Sequence, residues 1–216
     1  MLKRVDRPRE LKWYQASALL YGDWGTSKAY VLGIAFALAG HASWFFLGLM
    51  SILTAMIGIC YMVICRISPD GGGVYSSVRH RSKSLAVIGA LLLIADYVIT
   101  ASLSSLDAFH YFNLPHPELW AIGSMVIIGL INWFGPSRSG DIAVVIGIAA
   151  SVCVTALFFF TIPSLGHIEM TMPKGGWFTN WATFVGIVLA LSGVEAVANM
   201  TGIMVEPVEK TSKKAV

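Results

Sequence analysis

Tyr21-Gly22-Asp23-Trp24-Gly25-Thr26-Ser27-Lys28 lies inside an apolar run that extends from about Ala18 to Ala39. Two glycines, two aliphatic hydroxyls and a charge of each sign are poor company for hydrocarbon. One charged side chain at the centre of a membrane helix costs roughly 2.5–3.5 kcal/mol on insertion scales. Irregular backbone at membrane depth persists only where it is buried in protein or lines a cavity. The stretch therefore reads as an interruption of a membrane span. The amides and carbonyls it frees, at Gly22, Gly25 and Thr26, become ligand groups. A second interruption, Ser192-Gly193-Val194-Glu195-Ala196, sits in the last apolar run, and Leu20-Tyr21-Gly22 can be laid on Leu191-Ser192-Gly193 with an acid one or two positions later. Interrupted spans at corresponding positions of two repeats point to a transporter binding site.

The rest of the chain agrees with lipid as solvent. Of 216 residues, 56% are hydrophobic and 12% charged, about half the charged share of a soluble domain, which is roughly 25%. Six apolar runs are long enough to approach the thickness of a bilayer: about 18–39, 43–67, 84–106, 119–134, 142–162 and 181–205. Gly, Pro and polar residues punctuate the links, as in Ser68-Pro69-Asp70-Gly71-Gly72-Gly73, Leu114-Pro115-His116-Pro117 and Gly135-Pro136-Ser137. Residues 1–17 form a basic leading segment, 18–205 a membrane domain, and 206–216 a tail.

Six passes put 13 of the 15 Lys and Arg residues on one side, with Lys174 opposite and Lys28 inside the first span. Such an asymmetry places both termini in the cytoplasm of a multi-pass cell-membrane protein. No short apolar core with a cleavage site follows the basic start, so no removable signal peptide is expected. Cys60, Cys65 and Cys153 all fall in apolar runs and read as small packing residues rather than a disulfide or metal framework. The three glycines at 71–73 lack the Lys and hydroxyl spacing of a phosphate loop, so the segment reads as a turn.

Three acids lie inside spans: Asp23, Asp96 and Glu195. Their combined insertion cost is roughly 8–10 kcal/mol, which pairing, protonation or a wet cavity must offset. Asp96 and Thr100 are four apart and share a helix face; Asp23 and Tyr30 are seven apart. Oxygen donors of this kind suit a hard cation. Thr100 reads equally as a ligand and as a packing residue, whereas Ser102, Ser104 and Ser105 read as small-residue packing.

As a set, these features resemble the amino acid–polyamine–organocation (APC) superfamily of permeases. The likeness rests on the interrupted first span, Pro69-Asp70-Gly71-Gly72-Gly73-Val74-Tyr75, Asp96-Tyr97 and Ser192-Gly193-Val194-Glu195-Ala196, and covers about Ala16 to Pro207. Within that superfamily, Gly22-Asp23-Trp24-Gly25-Thr26-Ser27 resembles the Gly-Asp-x-Gly-Thr-Ser motif of Kup-type potassium transporters, with Lys28 standing where that motif has proline. Asp96-Tyr97-Val98-Ile99-Thr100 and Gly193-Val194-Glu195-Ala196 are similar to motifs of KimA-type potassium–proton symporters. The resemblance implies that Asp23, Tyr30, Asp96, Thr100 and Ser192 contribute to a cation site, together with the glycine breaks at Gly22 and Gly193. It also implies that Glu195, with Asp23, takes part in proton coupling.

The expectation is thus an all-α integral membrane protein of six transmembrane helices. It would be the first half of a five-plus-five inverted-repeat transporter fold with helices 1 and 6 broken. The expected function is secondary active transport, namely proton-coupled uptake of a small cationic solute such as potassium. A proton-coupled amino acid permease is the alternative. So is a truncated, non-transporting membrane module that pairs with a partner half, a second membrane chain. Two intramembrane aspartates could in principle form the dyad of a protease, but no nucleophile has a base nearby. No enzymatic activity, cofactor, resident metal or nucleic-acid partner is expected.

Overall fold

The computed structural model describes residues 8–188 and 193–216, and these are mostly helical. The helices are α1 (Trp13–Leu20), α2 (Thr26–Ala39), α3 (Ser43–Ile67), α4 (Gly73–Val78), α5 (Lys83–Tyr111), α6 (Pro117–Trp133), α7 (Pro136–Thr161), α8 (Trp177–Ile187), α9 (Ala196–Met200) and α10 (Val208–Ala215). Their limits follow local chemistry. Gly40, at φ +53°, turns the chain between α2 and α3. The Ser68-Pro69 pair ends α3, because a residue before proline avoids helical geometry. Proline occupies the first turn of α6 and of α7, where its missing N–H has no helical partner to lose. The Ser82 hydroxyl accepts the Leu85 N–H at 3.3 Å and caps α5.

Three helical stretches among the described residues are long and apolar enough to cross a membrane: Val31–Ile67, which runs through the turn at Gly40, Lys83–Tyr111 and Pro136–Ser164. Pro117–Trp133 is apolar and shorter. Large apolar side chains on these helices face outward, Leu92 at 66%, Ile127 at 59% and Val145 at 69% exposure. Water tolerates single exposed apolar residues but not whole apolar faces, so this is a multi-pass membrane protein.

The two expected interruptions differ. From Trp13 to Ala39 the chain is helical throughout, because α1 passes into α2 through a π-helical turn, Tyr21–Gly25. The expected break in the first span is therefore an extra residue inserted into a helix, not an unwound segment. A π turn loosens the hydrogen-bond ladder without ending it. Glycine permits it locally: a Cβ on Gly25 would meet the Tyr21 ring at 2.5 Å. In the second case α8 stops at Ile187 and α9 starts at Ala196. Between them Gly193 has φ +105°, and residues 189–192 lie outside the described residues.

Among the described residues, two clusters make the core. One joins Ala16 and Leu20 of α1, Cys65 of α3, Val197 and Ala198 of α9, and Ala215 of α10. The other joins Val31 and Ala35 of α2, Phe46 and Met50 of α3, and Ile187 of α8. Among the described residues, α3 alone contributes buried side chains to both.

Polar contacts mark the two ends of the bundle. At one end Gln15 donates to Asp141 at 2.6 Å and to the Ser137 carbonyl at 3.2 Å, Arg9 pairs with Asp70 at 3.0 Å, and Arg66 pairs with Glu209 at 3.5 Å. These contacts gather the leading segment, the link after α3, the start of α7 and the tail at a basic end. At the other end the Trp44 indole donates to the Thr171 carbonyl at 3.0 Å, and the Thr171 N–H donates to the His41 carbonyl at 3.3 Å.

Candidate functional site

The two interruptions meet. A Cβ built on Gly193 would lie 2.5 Å from the Trp24 nitrogen, 2.8 Å from its Cα and 2.9 Å from the Asp23 carbonyl carbon. Backbone therefore packs directly on backbone, which only glycine allows, and the positive φ demands glycine a second time. The contact is held from both sides. The Gly193 N–H donates to the Glu195 carboxylate, with Oε1 at 3.1 Å and Oε2 at 3.0 Å, and Glu195 is buried. Across the contact, the fully buried Ser27 hydroxyl donates to the Asp23 carbonyl at 2.9 Å. Ser27 thus satisfies a carbonyl of the π turn, as a buried backbone group requires.

Beside this junction lies a cavity of about 1010 Å³. α1, the π turn, α5, α6, α7 and α9 line it, and its polar lining comes from Gly22, Asp23, Tyr97, Thr100, Ser104, Ser105, Asn132 and Asn199. The walls from α6 and α7 are largely apolar, as with Met125, Ile128 and Ile146. A mostly apolar pocket with a few convergent polar groups is the usual form of a small-ligand site. A second hollow of about 730 Å³, between α1 and α7, is lined by Trp13, Tyr14, Val152 and Phe159 among others and holds none of the three acids.

Of the residues singled out from the sequence, Gly22, Asp23 and Thr100 line the larger cavity. Asp96 is on α5 next to cavity-lining Tyr97, and its charge interacts with that of Asp23. Glu195 interacts electrostatically with both aspartates. The fold therefore draws three acids far apart in sequence into one neighbourhood. Gly25 faces the Tyr21 ring and Gly193 the Asp23–Trp24 backbone, so these two shape the site rather than line it. Ser192 and the side chains of Thr26 and Tyr30 lie outside the described residues.

Sequence reading missed two groups. The Asn199 amide donates to the Tyr97 hydroxyl at 2.8 Å across the cavity edge, and Ser104, expected to pack, lines the cavity. A signal for Ser104 exists: Tyr97, Thr100 and Ser104 follow at the three- and four-residue spacing of one helix face. Ser105 lines the cavity as well, and its hydroxyl lies 2.7 Å from that of Ser124 of α6. The lining offers carboxylate, hydroxyl, amide and backbone oxygens and no cluster of His, Cys, Asp and Glu that would hold a metal ion, among the described residues. Hard oxygens of this sort favour hard cations over soft metals.

The chain is similar to known transporters along most of its length. It is 29% identical over 169 residues to "Probable potassium transport system protein Kup 1" of Bradyrhizobium sp., covering 68% of this chain and 28% of that protein. It is 30% identical over 161 residues to "Probable potassium transport system protein Kup" of Xanthobacter autotrophicus, covering 62% of this chain and 26% of that protein. It is 26% identical over 221 residues to "Potassium transporter KimA" of Bacillus subtilis, covering 88% of this chain and 36% of that protein. The chain thus spans between a quarter and two fifths of the length of the relatives it matches. No solved structure matches it significantly. The family model described as "Amino acid permease" matches residues 11–216, so the chain belongs to the amino acid permeases of the APC superfamily, a family of membrane transporters and not of enzymes.

Proposed function

We propose that this chain builds the binding half of a secondary active transporter that takes up potassium with protons across the cell membrane. The observation that carries the reading is the junction of the two interruptions, Gly193 on Asp23–Trp24, beside a cavity lined by Asp23 and Thr100. In this reading six spans cross the bilayer with both termini cytoplasmic, residues 18–205 form the membrane domain, and the two interrupted spans belong to corresponding positions of an inverted repeat. The basic end then faces the cytoplasm, as positively charged links do.

Residue roles follow from position. Asp23, with Asp96 near it, supplies the negative charge that makes a desolvated cation welcome. Thr100 supplies a neutral oxygen, and the backbone at Gly22, Gly25, Thr26 and Gly193 supplies shape and dipoles. Tyr30 and Ser192 complete the cation site. Glu195, clamped on the Gly193 amide, couples protons together with Asp23, because a proton gained there weakens the charge-assisted bond from the amide that fixes the junction. The three relatives, all potassium transporters by name, support the substrate.

The test is reconstitution of the complete transporter in vesicles with an interior pH dye. A potassium gradient should drive proton movement, and Asp23→Asn should abolish it. Normal transport by Asp23→Asn removes Asp23 from the site. The family description favours a second reading, an amino acid permease: amino acids, and not potassium, then drive the proton signal. A third reading, a non-transporting module that pairs with a partner half, predicts no flux from this chain and capture of a second membrane chain.

A further inference from the structure

The hollow between α1 and α7 holds none of the acids of the candidate site, yet it shares a wall with the larger cavity. The two helices lie side by side. The Gln15 amide reaches Ser137 and Asp141 at the basic end, and farther along a Cβ on Gly147 would lie 3.8 Å from Ala18 and from the Tyr21 ring. Ala18, Tyr21 and Gly147 line the hollow as well as the larger cavity. The space exists because α7 presents Gly147, Ser151 and Thr155 to it at four-residue spacing, three small side chains on one helix face.

The walls ask for hydrocarbon. The Ser151 hydroxyl donates to the Gly147 carbonyl, and the Thr155 hydroxyl to the Ser151 carbonyl, both at 2.7 Å. The hydroxyls that α7 turns into the hollow are thus already satisfied, and Val144, Ile148, Val152 and Phe159 make the rest of its side. From Val144 to Phe159 a helix rises about 22 Å, comparable to an extended long acyl chain. The mouth at the basic end asks for something else. Trp13 and Tyr14 line it edge to face, 47% and 37% exposed, and such rings settle at the level of lipid headgroups. The Lys12 ammonium lies over the Tyr14 ring, 5.8 Å from its centre, so an exposed cation stands at the mouth. Asp141 accepts from Gln15 and is not part of the lining.

We propose that this hollow is a lipid site, which holds one acyl chain of an anionic phospholipid with its phosphate at Lys12. Apolar walls along the membrane and a cation at the headgroup end match the two parts of such a molecule. Basic residues beside a membrane attract anionic lipid, and the cation is what separates this ligand from an uncharged one. A chain seated there backs the wall formed by Ala18, Tyr21 and Gly147, so the lipid braces α1 and the π turn from the side away from the larger cavity. The proposal holds whatever solute the protein carries, because neither Lys12 nor Ser151 belongs to the candidate site.

The experiment maps where lipid sits. The complete protein is reconstituted in phosphatidylcholine vesicles with a small share of phosphatidylglycerol that bears a diazirine in its acyl chain. After irradiation the adducts are located by peptide mass spectrometry. They should concentrate on the facing sides of α1 and α7, between Tyr14 and Tyr21 and between Ile148 and Phe159, and excess unlabelled phosphatidylglycerol should compete them away. Lys12→Gln should lower their yield at limiting lipid about fivefold, the worth of one lysine beside an anionic lipid. Lys213→Gln, which alters an exposed lysine of α10, should not. Ser151→Trp fills the hollow and should abolish the adducts there; if that variant does not fold, Lys12→Gln still decides, because it alters an exposed side chain. Adducts spread evenly over the outward faces of α5, α6 and α7 overturn the site, since that is ordinary boundary lipid. A hollow free of adducts because another span of the complete protein fills it overturns it too. Equal competition by phosphatidylcholine, or equal loss in Lys12→Gln and Lys213→Gln, overturns the assignment of an anionic headgroup to Lys12.

Discussion

Replacing Gly193 by alanine tests the junction most directly. The new methyl group meets three backbone atoms of Asp23 and Trp24 at 2.5–2.9 Å, and backbone cannot swing aside as a side-chain tip can. The φ of +105° adds a second penalty. Left-handed backbone costs an L-residue roughly 1–2 kcal/mol, and overpacking typically costs about 1–3 kcal/mol. The sum, roughly 2–5 kcal/mol, is a large part of an ordinary folding stability of about 5–15 kcal/mol. For a chain of this size each kcal/mol lowers the melting temperature by about 2–4 °C, so a fall of roughly 4–20 °C is expected. The assay is thermal unfolding in detergent, followed by the loss of the monodisperse peak on size exclusion. Gly22→Ala is the control: beyond its chain neighbours and its own helix backbone, no atom lies within 4 Å of its would-be Cβ, so it should melt with the wild type or slightly above it. A Gly193→Ala protein that melts with the wild type refutes the contact between the two interruptions, and with it the basis for the site.

Other outcomes follow from single contacts. Gln15 is buried and donates to Asp141 and to the Ser137 carbonyl; Gln15→Ala removes both bonds, and because Asp141 is exposed and can turn to solvent the cost should be about 1 kcal/mol, read as a lower melting temperature. Gln15→Glu should be worse, since it sets a second carboxylate against Asp141. Ser82→Ala removes the cap of α5 and should cost about 1 kcal/mol, with no change in transport. Tyr97→Phe keeps the ring and takes away the partner of Asn199; under the proposed potassium–proton reading it should raise the potassium concentration needed for half-maximal proton flux while leaving the melting temperature nearly intact.

What is legible in the sequence is what side-chain polarity decides. The second apolar run, 43–67, coincides with α3 because Gly40 and Ser68-Pro69 bracket it. The third apolar run stops at Leu106, whereas α5 continues to Tyr111. Hydropathy marks where hydrocarbon is tolerated, and a helix goes on past that limit while its backbone pairs, as it does through Asp107 and His110. The interruption in the first span is visible from Gly22-Asp23-Trp24-Gly25, but its form is not, because a π turn is a matter of backbone pairing and not of residue type. Asp23, Asp96 and Glu195 stand out because a buried acid is costly. Asn199 does not, although it is a polar residue in an apolar stretch, because its value comes from Tyr97, 102 residues away. In the sequence Arg9 is only one basic residue among many; the four groups around its guanidinium come from two distant segments, 69–70 and 201–206.

The division of the core at the level of the interruptions has an energetic consequence. Ala16 and Leu20 are buried with Val197 and Ala198, while Val31 and Ala35 are buried with Ile187, so each interrupted span places one half in each cluster. Truncations in different clusters should therefore sum in their effect on stability, as remote and unlinked sites do. Pairs within one cluster should not. Amide exchange should show the same partition, with the segment around Val197 opening at a free energy of its own while the Val31 and Ile187 amides stay protected. Such a molecule has α3 as its shared axle, and one half can be displaced without melting the other.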